Sequence, residues 1–234
     1  MARRRLGPLL LTIPMVLVLL GLGTWQVERL YWKEGLIAAL DAARSAPPVA
    51  PPPSLAAAAS LAYRRVAATG RFLHDKEFAV AAISQTGDYG LAVVTPLRLA
   101  DGSFLLVNRG WVPKDRQSPD SRRAGEIAAE TTITGLLRLP NARKPSWFTP
   151  DNRPEASQWY YIDPTAMAAA ARLEGVLPYW IDADATPNPG AYPIGGQTIV
   201  DIPNNHLQYA ITWYSLAMAL IAIYLISERR RPRD

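Results

Sequence analysis

The stretch that most limits what this chain can become is residues 207–226, twenty consecutive residues without a charge. As a helix they rise about 30 Å, the thickness of a bilayer's hydrocarbon core. Arg229, Arg230, Arg231 and Arg233 follow at once, and Pro203, Asn204, Asn205 and His206 lead in. Pro203 favours an extended residue before it and either asparagine can cap a helix, so His206 is expected in the first turn. There the helix dipole disfavours imidazolium and keeps the ring in its neutral, metal-binding form.

A second apolar run, residues 6–27, lies behind Arg3, Arg4 and Arg5. It is too long for a signal-peptide core, no small-x-small site closes it, and Trp25, Tyr31 and Trp32 form an interfacial belt. A retained transmembrane helix is expected. The net charge of +5 sits in the two terminal arginine clusters, because 18 basic and 18 acidic residues balance between Leu6 and Ile226. A nucleic-acid binder would carry the excess on its folded domain. Here the excess is a topology signal, placing both termini in the cytoplasm and residues 28–205 across the membrane. Residues 1–5 are too short for a mitochondrial presequence, so a bacterial inner membrane with a periplasmic domain is expected. No cysteine is present, which excludes disulfides, thiolate metal sites and covalent haem attachment.

The segmentation that follows is a cytoplasmic start (1–5), a first span (6–27), a helical extension (28–45) and a Pro/Ala-rich linker (46–60) of polyproline character. A periplasmic α+β domain (61–203), a second span (204–226) and a cytoplasmic basic tail (227–234) complete it. Within the domain, period-two patterns predict strands at 63–72, 77–83, 91–99, 103–111 and 131–139, with weaker ones at 159–162 and 179–182. Asp101-Gly102 predicts a hairpin turn, 113–130 an exposed loop, and 164–173 a short helix. The fold class is a membrane protein with two transmembrane helices flanking an α+β domain built on an antiparallel sheet or small barrel.

Enzyme templates fail, since no nucleophile elbow, zinc-protease motif, phosphate loop or dinucleotide fingerprint occurs. Asp182 and Asp184 could form a hydrolase pair, although a solvated strand end explains them as well. His74 falls in a predicted exposed turn. His206 is different, because an ionisable ring at a membrane boundary is a functional candidate. If the spans are antiparallel, Trp25, Gln26 and Arg29 neighbour it. Tyr209, Ala210, Trp213 and Ala217 share its helix face. Small residues there, with Gly21 and Gly23, leave room for a flat ligand or for the other helix. Aromatic rings to stack, Arg29 to receive carboxylates and an imidazole for iron make a set that suits haem. Interfacial aromatics and ordinary helix packing use the same residue types. Met218 is too far along the helix to ligate the same iron.

Residues 22–36 (LGTWQVERLYWKEGL), 105–113 (LLVNRGWVP) and 204–214 (NNHLQYAITWY) resemble the three signature blocks of the SURF1 (Shy1) family. Gly70-Arg71-Phe72, Tyr89-Gly90 with Thr95-Pro96, and Trp159-Tyr160 with Asp163 resemble it too. The resemblance implies a non-enzymatic cytochrome c oxidase assembly protein that binds haem a for delivery to oxidase subunit I. His206 is then the haem ligand, and haem a synthase, subunit I and the lipid bilayer are the partners. A second expectation is a cofactor-free scaffold that contacts oxidase subunits through Asn108, Arg109, Gly110 and Trp111. A Gly bulge and a packed Trp would account for the same four residues.

Overall fold

The computed structural model of the chain describes residues 3–140, 144–198 and 202–230, and it separates into a helical unit and a β unit. Within the helical unit, α1 (Arg3–Ser45) is one continuous helix through its two prolines, and α4 (His206–Arg230) opens on the histidine expected in its first turn. Both are long and apolar enough to cross a membrane. Gly23 and Thr24 meet Tyr214, Gln26 meets His206, and Lys33 meets Pro203, so the two helices run antiparallel. Arg231 and Arg233 of the terminal cluster, and the side chains of Arg3, Arg4 and Arg5, lie outside what the structure describes.

The β unit is built from β1 (Arg65–Phe72), β2 (Phe78–Ile83), β3 (Tyr89–Leu99), β4 (Phe104–Pro113), β5 (Thr131–Arg138) and β6 (Val176–Ala183). They lie in the order β1-β5-β6-β4-β3-β2, and the far end of β1 also pairs with β3, closing five strands into a small barrel with β2 on the outside. The expected hairpin turn at Asp101-Gly102 joins β3 to β4. One pairing departs from the antiparallel expectation: β4 and β6 are parallel. The 159–162 run forms only an isolated bridge between Trp159 and Val80.

Strand alternation fills the barrel. Val66, Ala68 and Phe72 of β1, Leu97 of β3, Leu105 and Val107 of β4, Leu137 of β5, and Tyr179 and Ile181 of β6 form the interior. Leu106 and Trp180 face the other way. They join Val80, Val94, Trp159 and Met167, the last from α3 (Pro164–Ala171), whose N-cap Asp163 accepts from the N–H groups of Thr165 and Ala166.

The Pro/Ala-rich stretch is not a spacer. Val49 bridges to Val66, the buried carbonyl of Pro52 accepts from Tyr179 Oη at 2.7 Å, and α2 (Leu55–Ala59) inserts Ala58 into the barrel core. Prolines preset an extended backbone, and an extended backbone can lie along a sheet as readily as cross solvent. Burial holds the Tyr179 phenol well above its ordinary range, so it stays a donor. The 113–130 segment is likewise anchored rather than wholly exposed. Arg122 is buried in a bidentate ion pair with Glu77, and Gly125 is buried beside it in sequence.

Candidate functional site

The candidate site lies in the helical unit, where the start of α4 meets the middle of α1. His206 is half-buried, and its Nδ1 lies 2.6 Å from Gln26 Oε1 across the helix pair. Two contacts fix this approach. On one side Thr24 Oγ1 donates to Leu20 O and accepts from Tyr214 Oη at 3.1 Å. On the other, Lys33 Nζ donates to Pro203 O at 3.0 Å. Gly23 lets the helices approach: a Cβ there would stand 2.7 Å from the Tyr214 ring. Gly21, expected to share that role, is exposed with nothing near its Cβ position.

The expected ligand face divides in two. Ala210 and Ala217 are buried, so their small side chains serve packing. Trp213 is half-buried, and its indole N–H is enclosed with no partner among the described residues. Tyr209 and Trp25 are 55% and 50% exposed; Tyr209 stands three residues beyond His206 on α4, and Trp25 precedes Gln26 on α1. The Arg29 guanidinium stacks 4.3 Å from the Trp32 ring centre. The donor chemistry fits a single axial imidazole. Among the described residues the only side-chain hydrogen bond of His206 is the one through Nδ1, which leaves Nε2 open to a ligand. Sequence reasoning missed Thr24, Lys33 and Tyr214, whose roles depend on which faces of the two helices touch.

The other sequence candidates lie in the β unit, where contacts within that unit engage them. At Asn108–Trp111 the β3–β4 register shifts, leaving Arg109 as the extra residue of a bulge. Gly110 has φ +128°, and a Cβ there would stand 2.0 Å from Ile194 O, so only glycine fits. Arg109 is 2% exposed: its NH2 group donates to Gly125 O and to Asn188 Oδ1 (3.2 Å), and its NH1 lies 3.4 Å from His74 Nδ1. Burial pulls its pKa down to about 10. Trp111 pairs its backbone with Ile194 in both directions, and its ring covers Gly90. Asn108 donates to Asp182 Oδ1. Arg109 and Gly110 are therefore buried within the β unit, while Asn108 and Trp111 are half-buried.

Asp182 is no solvated strand end. Its Oδ1 accepts from Asn108 Nδ2 and Trp180 Nε1, and its Oδ2 from Arg138 and Thr198 Oγ1, all at 2.9–3.0 Å. With every lone pair engaged it is a cross-strand clasp, and as a hydrolytic carboxylate it has no capacity left. His74 also departs from expectation. It stacks on Phe72, its Nε2–H donates to Ile127 O at 3.2 Å, and its Nδ1 accepts from Arg109. Burial, with Arg109 beside it, lowers its pKa.

The comparisons with known proteins agree with the resemblance. The SURF1 family profile matches residues 13–218. The chain is 41% identical to the SURF1-like protein of Monosiga brevicollis, over 94% of this chain and 87% of that one. It is 39% identical to Surfeit locus protein 1 of Takifugu rubripes, over 85% and 88%. Against Surfeit locus protein 1 of Homo sapiens the identity is 40%, over 90% of this chain and 73% of that one. The chain belongs to the SURF1 family.

Proposed function

We propose that this chain is a non-enzymatic assembly factor for cytochrome c oxidase, anchored in a bacterial inner membrane by α1 and α4 with the barrel on the periplasmic side. Its task is to hold haem a, received from haem a synthase, for insertion into oxidase subunit I. Family membership supports the assembly role. The observation that carries the cofactor reading is the His206 ring, bonded among the described residues through Nδ1 alone, at the start of an apolar helix. When bound, haem would supply an iron centre that an imidazole nitrogen can hold. His206 would hold the iron, while Trp25 and Tyr209 would offer apolar faces to the macrocycle and Trp213 would line the same face of α4. Arg29 and Lys33 supply positive charge for the propionates on the same helix.

A cofactor-free scaffold is the second reading, and one observation favours it. Trp147 and Phe148 are 88% and 72% exposed and pack edge-to-face on each other, a form suited to a protein contact. One experiment separates the two readings. In a host lacking its own copy, the wild-type chain restores spectrally normal cytochrome c oxidase, and His206→Ala expressed at the same membrane level does not. Full restoration by His206→Ala contradicts the haem-holding reading and leaves the scaffold.

A further inference from the structure

The two polar atoms that meet between α1 and α4 assign more than a packing contact. A carbonyl oxygen only accepts, so Gln26 Oε1 at 2.6 Å from His206 Nδ1 requires the imidazole proton to sit on Nδ1. In the neutral ring the lone pair is then on Nε2. In His74 the assignment is reversed. Ile127 O accepts from Nε2–H, and the Arg109 guanidinium, which has only donors, faces Nδ1. As neutral rings, the two imidazoles facing these partners take opposite tautomers, each set by the partner on the other ring nitrogen.

We propose that Gln26 is the positioning residue of the haem site, not a contact of the macrocycle: it fixes His206 in the Nδ1–H tautomer and so presents Nε2 to iron. The inference rests on the haem-holding reading. Three features of the helix pair support it. The hydrogen bond joins residues 180 apart in sequence, so it exists only when α1 and α4 are paired. The Thr24–Tyr214 bond and the Lys33–Pro203 bond bracket it on both sides. Gly23 sets the helix spacing that lets a Gln side chain span the gap.

The identity of the partner also matters. Metal-bound histidines commonly donate their second N–H to a carboxylate or carbonyl, and a carboxylate makes the ring a stronger ligand. An uncharged amide orients the ring without that added basicity. Such a ligand is fixed in direction and moderate in strength, as suits a group that must be given up. Gln26→Glu should therefore hold haem a more tightly than wild type, and Gln26→Met should hold it less tightly.

The test uses the full-length, haem-free protein in lipid bilayers with 15N-labelled histidine. Solid-state NMR of the wild type should show one Nδ1–H ring, assigned to His206 by its loss in His206→Ala, and one Nε2–H ring from His74. In Gln26→Met the His206 signals should shift to a tautomer mixture, while those of His74 stay in place and report an intact barrel. Gln26→Glu should restore the Nδ1–H form. An Nε2–H His206 in the wild type, or one unchanged in Gln26→Met, overturns the inference. Haem a retention is then read on the same three proteins, with about a tenfold loss expected in Gln26→Met. If the tautomer shifts as stated but wild type and His206→Ala retain equal haem a, the haem-holding reading fails, and the positioning role fails with it.

Discussion

The two histidines of this chain stand in contrasting settings. His74 lies on the barrel with a ring stacked on Phe72 and both nitrogens engaged, by a backbone carbonyl and by a buried guanidinium. His206 opens a candidate membrane span, and among the described residues only its Nδ1 is hydrogen-bonded. The first ring is spent on structure: it ties β4 and the 113–130 segment to the end of β1. The second keeps one nitrogen in reserve. The difference lies in coordination capacity, which no count of histidines reveals.

The barrel side of this contrast breaks most severely at the ion pair beside His74. Arg122→Leu leaves the Glu77 carboxylate buried without its partner, and urea unfolding should show a loss of about 3–5 kcal/mol. The double variant Glu77→Leu/Arg122→Leu should recover much of that loss, because an apolar pair replaces a satisfied ionic one. If both variants unfold at the wild-type midpoint, the segment is not anchored as described.

On the helical side, Gly23→Leu forces a branched side chain into the Tyr214 ring. It should weaken the helix pair by about 1–3 kcal/mol. Double electron–electron resonance between spin labels at Val18 and Leu220, in a chain free of native cysteine, should show a broader and longer distance distribution. An unchanged distribution would mean that the helices are not held together at Gly23.

The smallest effect is the pH response of the barrel. In the folded chain burial, with Arg109 opposite, makes the His74 ring refuse a proton, and the Ile127 carbonyl, Glu126 and Glu77 only partly offset this. Below its ordinary pKa of 6.5 the unfolded chain binds that proton first. The unfolded state then holds more protons, so stability should fall as pH drops from 6.5 until the folded ring titrates as well. Thermal melts from pH 7 to pH 5 should show this fall, and His74→Gln should flatten it. A steeper fall in His74→Gln would reverse the assignment.

Much of this was legible in the residues. Period-two runs located β1 to β5, only one of the two weaker runs became a strand (β6), and Asp101-Gly102 gave the β3–β4 turn. The apolar runs gave both helices, and the lead-in Pro203-Asn204-Asn205 put His206 in the first turn. What could not be read were contacts made at a distance. Composition marked 46–60 as extended without showing that Pro52 and Ala58 face the barrel. A charged 113–130 looked solvated because the pairing of Arg122 with Glu77 spans 45 residues. Asp182 looked exposed for the same reason: three of its four donors come from β4, β5 and Thr198. In the helical unit Gln26 was legible as a neighbour of His206, while Tyr214 and Thr24, which hold that neighbour in place, were not.

The most direct measurement is haem a content, by pyridine haemochromogen spectrum, of the detergent-purified full-length chain from cells that make haem a. Wild type and His74→Gln should carry haem alike, and His206→Gln should lose at least about tenfold. Equal haem in all three proteins, or a loss confined to His74→Gln, would contradict the account.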